Sequence, residues 1–158
     1  MCEYCGCQSL ASIDELTREH DEVVRLISHL RPAHEDGDVG RMARVARRIA
    51  TVLGPHTRVE EHGLFPALAG DFPEQIAVLE AEHRRVEAVL AEAADGVTPS
   101  DPAWPERLIE TMAMLRDHIL KEQDGVFPAA LANLGTEEWE AVEAVRAEAG
   151  STLSRPTA

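Results

Sequence analysis

The feature that most constrains this chain is a repeat at an offset of 62 residues. His56 and Glu60 precede Gly63, Phe65, Pro66 and Ala67, and His118 and Glu122 precede Gly125, Phe127, Pro128 and Ala129. Each stretch reads His-x-x-x-Glu-x-x-Gly-x-Phe-Pro-Ala. An upstream pair accompanies each copy, Glu19-His20 and Glu82-His83, with 36 residues from His20 to His56 and 35 from His83 to His118. A chain with that repeat folds as a duplicated helix pair, each copy supplying three candidate ligands. That is the outline of a two-metal site inside a four-helix bundle.

Apolar periodicity supports the helices. Ile13, Leu16, His20, Val23, Ile27 and Leu30 recur at three- and four-residue spacing and predict a first helix over about 10–34, with Ser12 and Glu15 as a capping box. Pro32 disturbs its end, and the acidic, glycine-bearing stretch 35–38 reads as a turn. A second helix is expected over about 39–64 through Met42, Val45, Ile49, Val52, His56 and Val59. Gly54-Pro55 interrupts it, because proline removes a helical hydrogen bond. Asp71 with Glu74 predicts the start of a third helix running to about Ala94, with Ile76, Leu79, His83, Val86 and Leu90 inward. A long loop over 95–103 precedes a fourth helix from about Trp104 to Val126. A short helix from Thr136 to about Ala149 carries Trp139, Val142 and Val145 as a narrow apolar edge, and 151–158 read as a flexible tail. Short connections favour antiparallel neighbours, so the expected fold is all-α: an up-down-up-down antiparallel four-helix bundle with a short extra C-terminal helix. The expected divisions are a cysteine-bearing tail at 1–9, the bundle at 10–132, the extra helix at 133–150 and the final tail.

His20, His56, His83 and His118 fall on or beside the apolar stripes, and Glu60 and Glu122 lie one turn beyond a histidine on the same face. Carboxylates aimed into an apolar bundle are costly unless paired or bound to a cation. A lone His-x-x-x-Glu on a surface would be only a weak helix pair. Four histidines on buried stripes, in duplicate, are not explained that way. The six residues can hold two metals, with the glutamates bridging them. Imidazole with oxygen ligands suits iron, manganese or zinc, and two carboxylate-bridged metals point to iron. His29, His34 and His62 fall at helix ends, in a turn, or off the face of Glu60, where surface roles are expected.

Composition narrows the function. A formal charge of −14 argues against a nucleic-acid surface. No apolar run is long enough to span a membrane, and the start lacks the basic-then-apolar pattern of a signal peptide. The three cysteines, Cys2, Cys5 and Cys7, cluster at one end and form no secreted disulfide framework, so a cytoplasmic location is expected. The tail is either inert or a redox or transient metal contact, the latter offering a route to a protein partner.

On these residues, His20, His56-x-x-x-Glu60, His83 and His118-x-x-x-Glu122, the chain resembles the hemerythrin-like (HHE cation-binding) family over about 10–132. Its start resembles actinobacterial hemerythrin-like proteins. The resemblance implies two iron ions, with the four histidines as terminal ligands and Glu60 and Glu122 as bridges beside an oxo or hydroxo group. The oxygen-carrying hemerythrins place a further histidine where this chain has Glu87, and they use His-x-x-x-x-Asp where it has Gln123. Reversible oxygen carriage is therefore not the expected role. Glu87 is either a further oxygen ligand or an exposed partner for a nearby arginine, the latter preferred.

The leading expectation is a non-heme di-iron protein that binds or reacts with dioxygen, peroxide or nitric oxide in oxidative or nitrosative stress, as monomer or dimer. Turnover would make it a peroxide- or nitric-oxide-consuming oxidoreductase, with no catalytic residue beyond the ligands. The alternatives are an iron, oxygen or nitric oxide sensor, or an iron–sulfur-centre repair protein, acting through a partner. A ferritin-like oxidase ranks lower, because only Glu80 and His83 match its Glu-x-x-His spacing.

Overall fold

A computed structural model describes residues 6–153, and among them every regular element is helical. Helix α1 spans Gly6–Ile27, α2 Leu30–Glu35 and α3 Val39–Val59. A wide π turn, Glu60–Leu64, leads into α4, Phe65–Leu68. Helix α5 spans Pro73–Ala91 and α6 Trp104–Lys121; a second π turn, Glu122–Val126, leads into α7, Phe127–Asn133, and α8 closes the order at Thr136–Ala149. The four long helices are α1, α3, α5 and α6, with α8 the short extra one. Helix α1 packs on α3, α5 on α6 and α3 on α5, while α8 lies against α1 and α3.

Several expected boundaries move, each for a physical reason. Helix α1 starts at Gly6, so Ser12 and Glu15 lie inside it and form no cap. The extra turns are held from outside, since Gln8 Nε2 donates to Glu143 Oε2 of α8 at 2.6 Å. The single helix expected over 10–34 is broken at Ser28 and His29. Pro32 has no N–H, and its ring opposes the carbonyl four residues back, at Ser28. By contrast α3 runs through Pro55, the expected interruption, because Ile49, Val52, His56 and Val59 on both sides of it are buried. Helix α5 begins two residues later than expected. Phe72 is its cap residue and Pro73 its first helical residue, a position that suits proline, so Asp71 does not cap it. It also ends early, and Asp95 (φ 57°) and Gly96 (φ 76°) turn the chain in the left-handed region. The fourth helical run extends past Val126 to Asn133 through the second π turn. Thr136–Ala149 is where the short C-terminal helix was expected.

Two apolar blocks enclose the middle of the bundle. One contains Leu26, Leu30, Ile49, Leu90, Trp104, Leu108 and Met112. Trp104 is fully buried, and its Nε1 donates to the Val89 carbonyl at 3.0 Å. The other block contains Leu16, Leu64, Phe65, Leu79, Phe127, Trp139 and Val142. The candidate ligands lie at the level between them. No helix among the described residues is long and apolar enough to cross a membrane. Cys7 is disulfide-bonded; Cys2 and Cys5, and the tail residues 154–158, lie outside the described residues. Ser151, in the stretch read as a tail, donates to Glu19 Oε2 at 3.2 Å.

Candidate metal centre

The two π turns begin at Glu60 and Glu122. Pro66 and Pro128 have no N–H to continue an α ladder. The preceding residues instead bond five back, Phe65 N–H to the Glu60 carbonyl and Phe127 N–H to the Glu122 carbonyl. Wide turns of this kind recur at functional sites. Here each one brings a phenylalanine beneath the centre. Phe65 stacks on His83 with centroids 5.8 Å apart, and Phe127 stacks on His20 at 5.5 Å. The repeated Gly-x-Phe-Pro-Ala thus has a structural purpose: each copy's phenylalanine steadies the upstream histidine of the other copy.

All six predicted residues converge and are buried, His83 the most accessible at 5%. Their donor atoms form two groups, His20, His56, Glu60, Glu122 and His83, His118, Glu60, Glu122, each within 4.8 Å. The two glutamates belong to both. His20 Nε2 lies 3.0 Å from Glu122 Oε1, and His118 Nε2 lies 3.2 Å from the same oxygen. His56 Nε2 and His83 Nε2 lie 3.2 and 3.3 Å from Glu60 Oε1. Among the described residues, four buried side-chain polar atoms find no hydrogen-bond partner: both carboxylate oxygens of Glu60, Glu122 Oε2 and His118 Nε2. Unsatisfied buried acceptors are costly. A cluster of lone pairs converging from six side chains is what a cation satisfies, so the residues fit a two-metal site.

The other ring nitrogens are held too. His56 Nδ1 donates to Glu19 Oε1 at 3.0 Å, and His118 Nδ1 to Glu82 Oε1 at 3.1 Å. His83 Nδ1 donates to Glu61 Oε2 at 2.6 Å, and His20 Nδ1 to Gln123 Oε1 at 3.0 Å. A proton fixed on Nδ1 leaves Nε2 to face a metal, and such partners set ring orientation and ligand strength. Behind them stand cations. Arg146 of α8 clamps Glu19 at 2.8 and 3.0 Å, Lys121 holds Glu82 at 2.8 Å, and Arg84 holds Glu61 at 2.6 Å.

Charge within the site is strongly coupled. Burial, reinforced by His56, pulls the His20 pKa down to about 3. Burial also works against a charged His56, but the Glu60 and Glu19 carboxylates outweigh it and hold its pKa up at about 9. Burial pushes Glu60 upward, yet the His56 charge overcomes this and keeps it well below the usual carboxylate range. Burial and the facing Glu60 carboxylate push Glu122 well above that range.

A cavity of about 400 Å³ reaches the centre. All four histidines and Glu122 line it, together with apolar side chains that include Leu53, Val86 and Leu90. Glu87 also borders it, but is 53% exposed and pairs with Arg84 at 3.1 Å. His29 is exposed, as is His62, and His34 faces Glu106 on the surface at 3.3 Å.

Residues 11–130 match the hemerythrin HHE cation binding domain. The chain belongs to the hemerythrin HHE family. No curated protein and no solved structure was found to match it. Membership in the HHE family carries cation binding with it, and the paired His/Glu groups supply a place for cations.

Sequence reasoning missed the residues behind the ligands. Glu19 and Glu82 were visible as repeat members, and their matched positions were the signal for a shared role. Glu61 and Gln123 each follow a candidate bridging glutamate, and Arg146 gives no sequence signal at all.

Proposed function

We propose that this hemerythrin HHE protein binds two iron ions through His20, His56, His83, His118, Glu60 and Glu122 and reacts with dioxygen, peroxide or nitric oxide in stress defence. The observation carrying this reading is the sharing of Glu60 and Glu122 between two histidine pairs, with three of their four oxygens buried and without a hydrogen-bond partner. The proposal includes an up-down-up-down antiparallel bundle over 10–132, bridging roles for the two glutamates and a cytoplasmic location.

An iron pair held by His20, His56, His83, His118, Glu60 and Glu122 would, when reduced, supply two electrons to a small oxidant. The chain's own part is positional. Four Nδ1 donors fix the rings, Phe65 and Phe127 wall the centre, and the two apolar blocks exclude bulk water. The apolar-walled cavity gives a small ligand a path inward. Desolvation there strengthens each electrostatic contact.

The test is iron per chain with the near-ultraviolet spectrum before and after peroxide. Two irons and a band that responds to peroxide support the proposal. One iron, or none after anaerobic reconstitution, overturns it. His56→Ala and His118→Ala should each abolish loading at two per chain.

A sensor reading has one observation in its favour. The α8 surface helix is tied to His56 through Arg146 and Glu19, so a change at that ring has a direct route to an exposed helix. Turnover with no change at α8 on ligation would count against it.

A further inference from the structure

The repeat makes the two metal positions near-copies, and the partners of the histidine rings show where the copies differ. Glu19 behind His56 corresponds to Glu82 behind His118, carboxylate for carboxylate. Glu61 behind His83 corresponds to Gln123 behind His20, and there a charged group in one copy is a neutral amide in the other. The counter-ions differ in the same sense. Glu19 is fully buried, and Arg146, itself only 8% exposed, offsets its charge where screening is weak. The cations on Glu61 and Glu82 are Arg84 and Lys121, with side chains 57% and 49% exposed, so water screens them. The His20/His56 position therefore feels one locally neutralised carboxylate and an amide. The His83/His118 position feels two carboxylates whose positive partners are weakened by solvent.

We propose that the two metal positions are unequal, the His83/His118 position binding a divalent cation more tightly, with Gln123 and Glu61 as the positioning residues that set the difference. This rests on the two-metal reading above. Both residues act through a ring nitrogen rather than on the metal, and partners of that kind change affinity by about 10- to 100-fold.

The experiment is an anaerobic cobalt(II) titration of the full chain after chelation, followed by calorimetry and by the visible absorption of each step. Wild type should show two steps. Gln123→Glu should tighten the weaker step by about tenfold or more and leave the stronger one in place. Glu61→Gln should weaken the stronger step and draw the two together. Tightening cannot come from a damaged fold, which makes Gln123→Glu the decisive variant. Two equal sites in wild type, or a Gln123→Glu effect on the tighter step, overturn the proposal. Absence of any cobalt binding by wild type would instead remove the two-metal reading on which it stands.

Discussion

Arg146→Met tests whether α8 is part of the centre's support. The guanidinium makes two hydrogen bonds to Glu19, at 2.8 and 3.0 Å, and one to the Gly150 carbonyl at 3.0 Å. Glu19 is fully buried, and burial is the largest influence on its pKa, an upward one that the hydrogen bonds from His56 and Arg146 reverse. Removing one partner of a buried ion pair costs about 3–5 kcal/mol, because the other charge is stranded. Glu19 keeps its bonds from His56 and Ser151, so the lower end, about 3 kcal/mol, is expected. At about 2–4 °C per kcal/mol for a chain of this size, the Tm should fall by roughly 6–12 °C. The assay is thermal unfolding of chelated protein by circular dichroism, so that metal loading does not contribute. Glu19→Gln in the Arg146→Met background should recover much of the loss, since no charge is then stranded. A Tm change below about 2 °C, or a double variant no more stable than the single, would refute the reasoning.

Further outcomes follow from the same geometry. A Cβ at Gly63 would meet Val142 Cα of α8 at 3.2 Å, whereas nothing lies within 4 Å of one at the matched Gly125. Gly63→Ala should cost about 1–3 kcal/mol in urea unfolding, and Gly125→Ala should be neutral or gain up to about 1 kcal/mol; equal effects would contradict the close approach of α8. His56 holds its proton below about pH 9 and Glu122 holds its own well above the usual range, so cation binding near neutrality must expel protons. Competition grows as pH falls, so apparent affinity should rise toward about pH 9, by up to about tenfold per pH unit for each proton displaced. Calorimetry in buffers of different ionisation enthalpy measures the release, and pH-independent affinity would contradict the assigned protonation. Glu87→Gln should leave iron per chain unchanged, and loss of one iron would make Glu87 a ligand.

The helices and the convergence of six side chains were legible because both depend on spacing. A histidine and a glutamate one turn apart share a face whatever packs against it. Helix starts were less legible, since Ser12 and Asp71 look like caps locally. Contacts with α8 extend α1 upstream of Ser12, and Pro73 was the better start signal for α5. Pro32 and Pro55 have the same local chemistry, yet only Pro32 coincides with a break; buried residues on either side of Pro55 carry the helix through. The ring partners were beyond reach for another reason. Whether Gln123 meets His20, 103 residues away, depends on how two helices are rotated about their axes, which periodicity does not encode.

The crossed support has a consequence for how the chain holds together. Cut within the 69–72 turn between α4 and α5, the first half would keep His20, His56 and Glu60, and the second His83, His118 and Glu122. Each half would then carry a histidine pair for one metal, yet lack the other's glutamate and the side chains that steady its own upstream ring. Gln123 and Phe127 would be lost to His20, and Glu61 and Phe65 to His83. The halves interlock like clasped hands, and a cation at the centre acts as the rivet whose capture reports their reassembly.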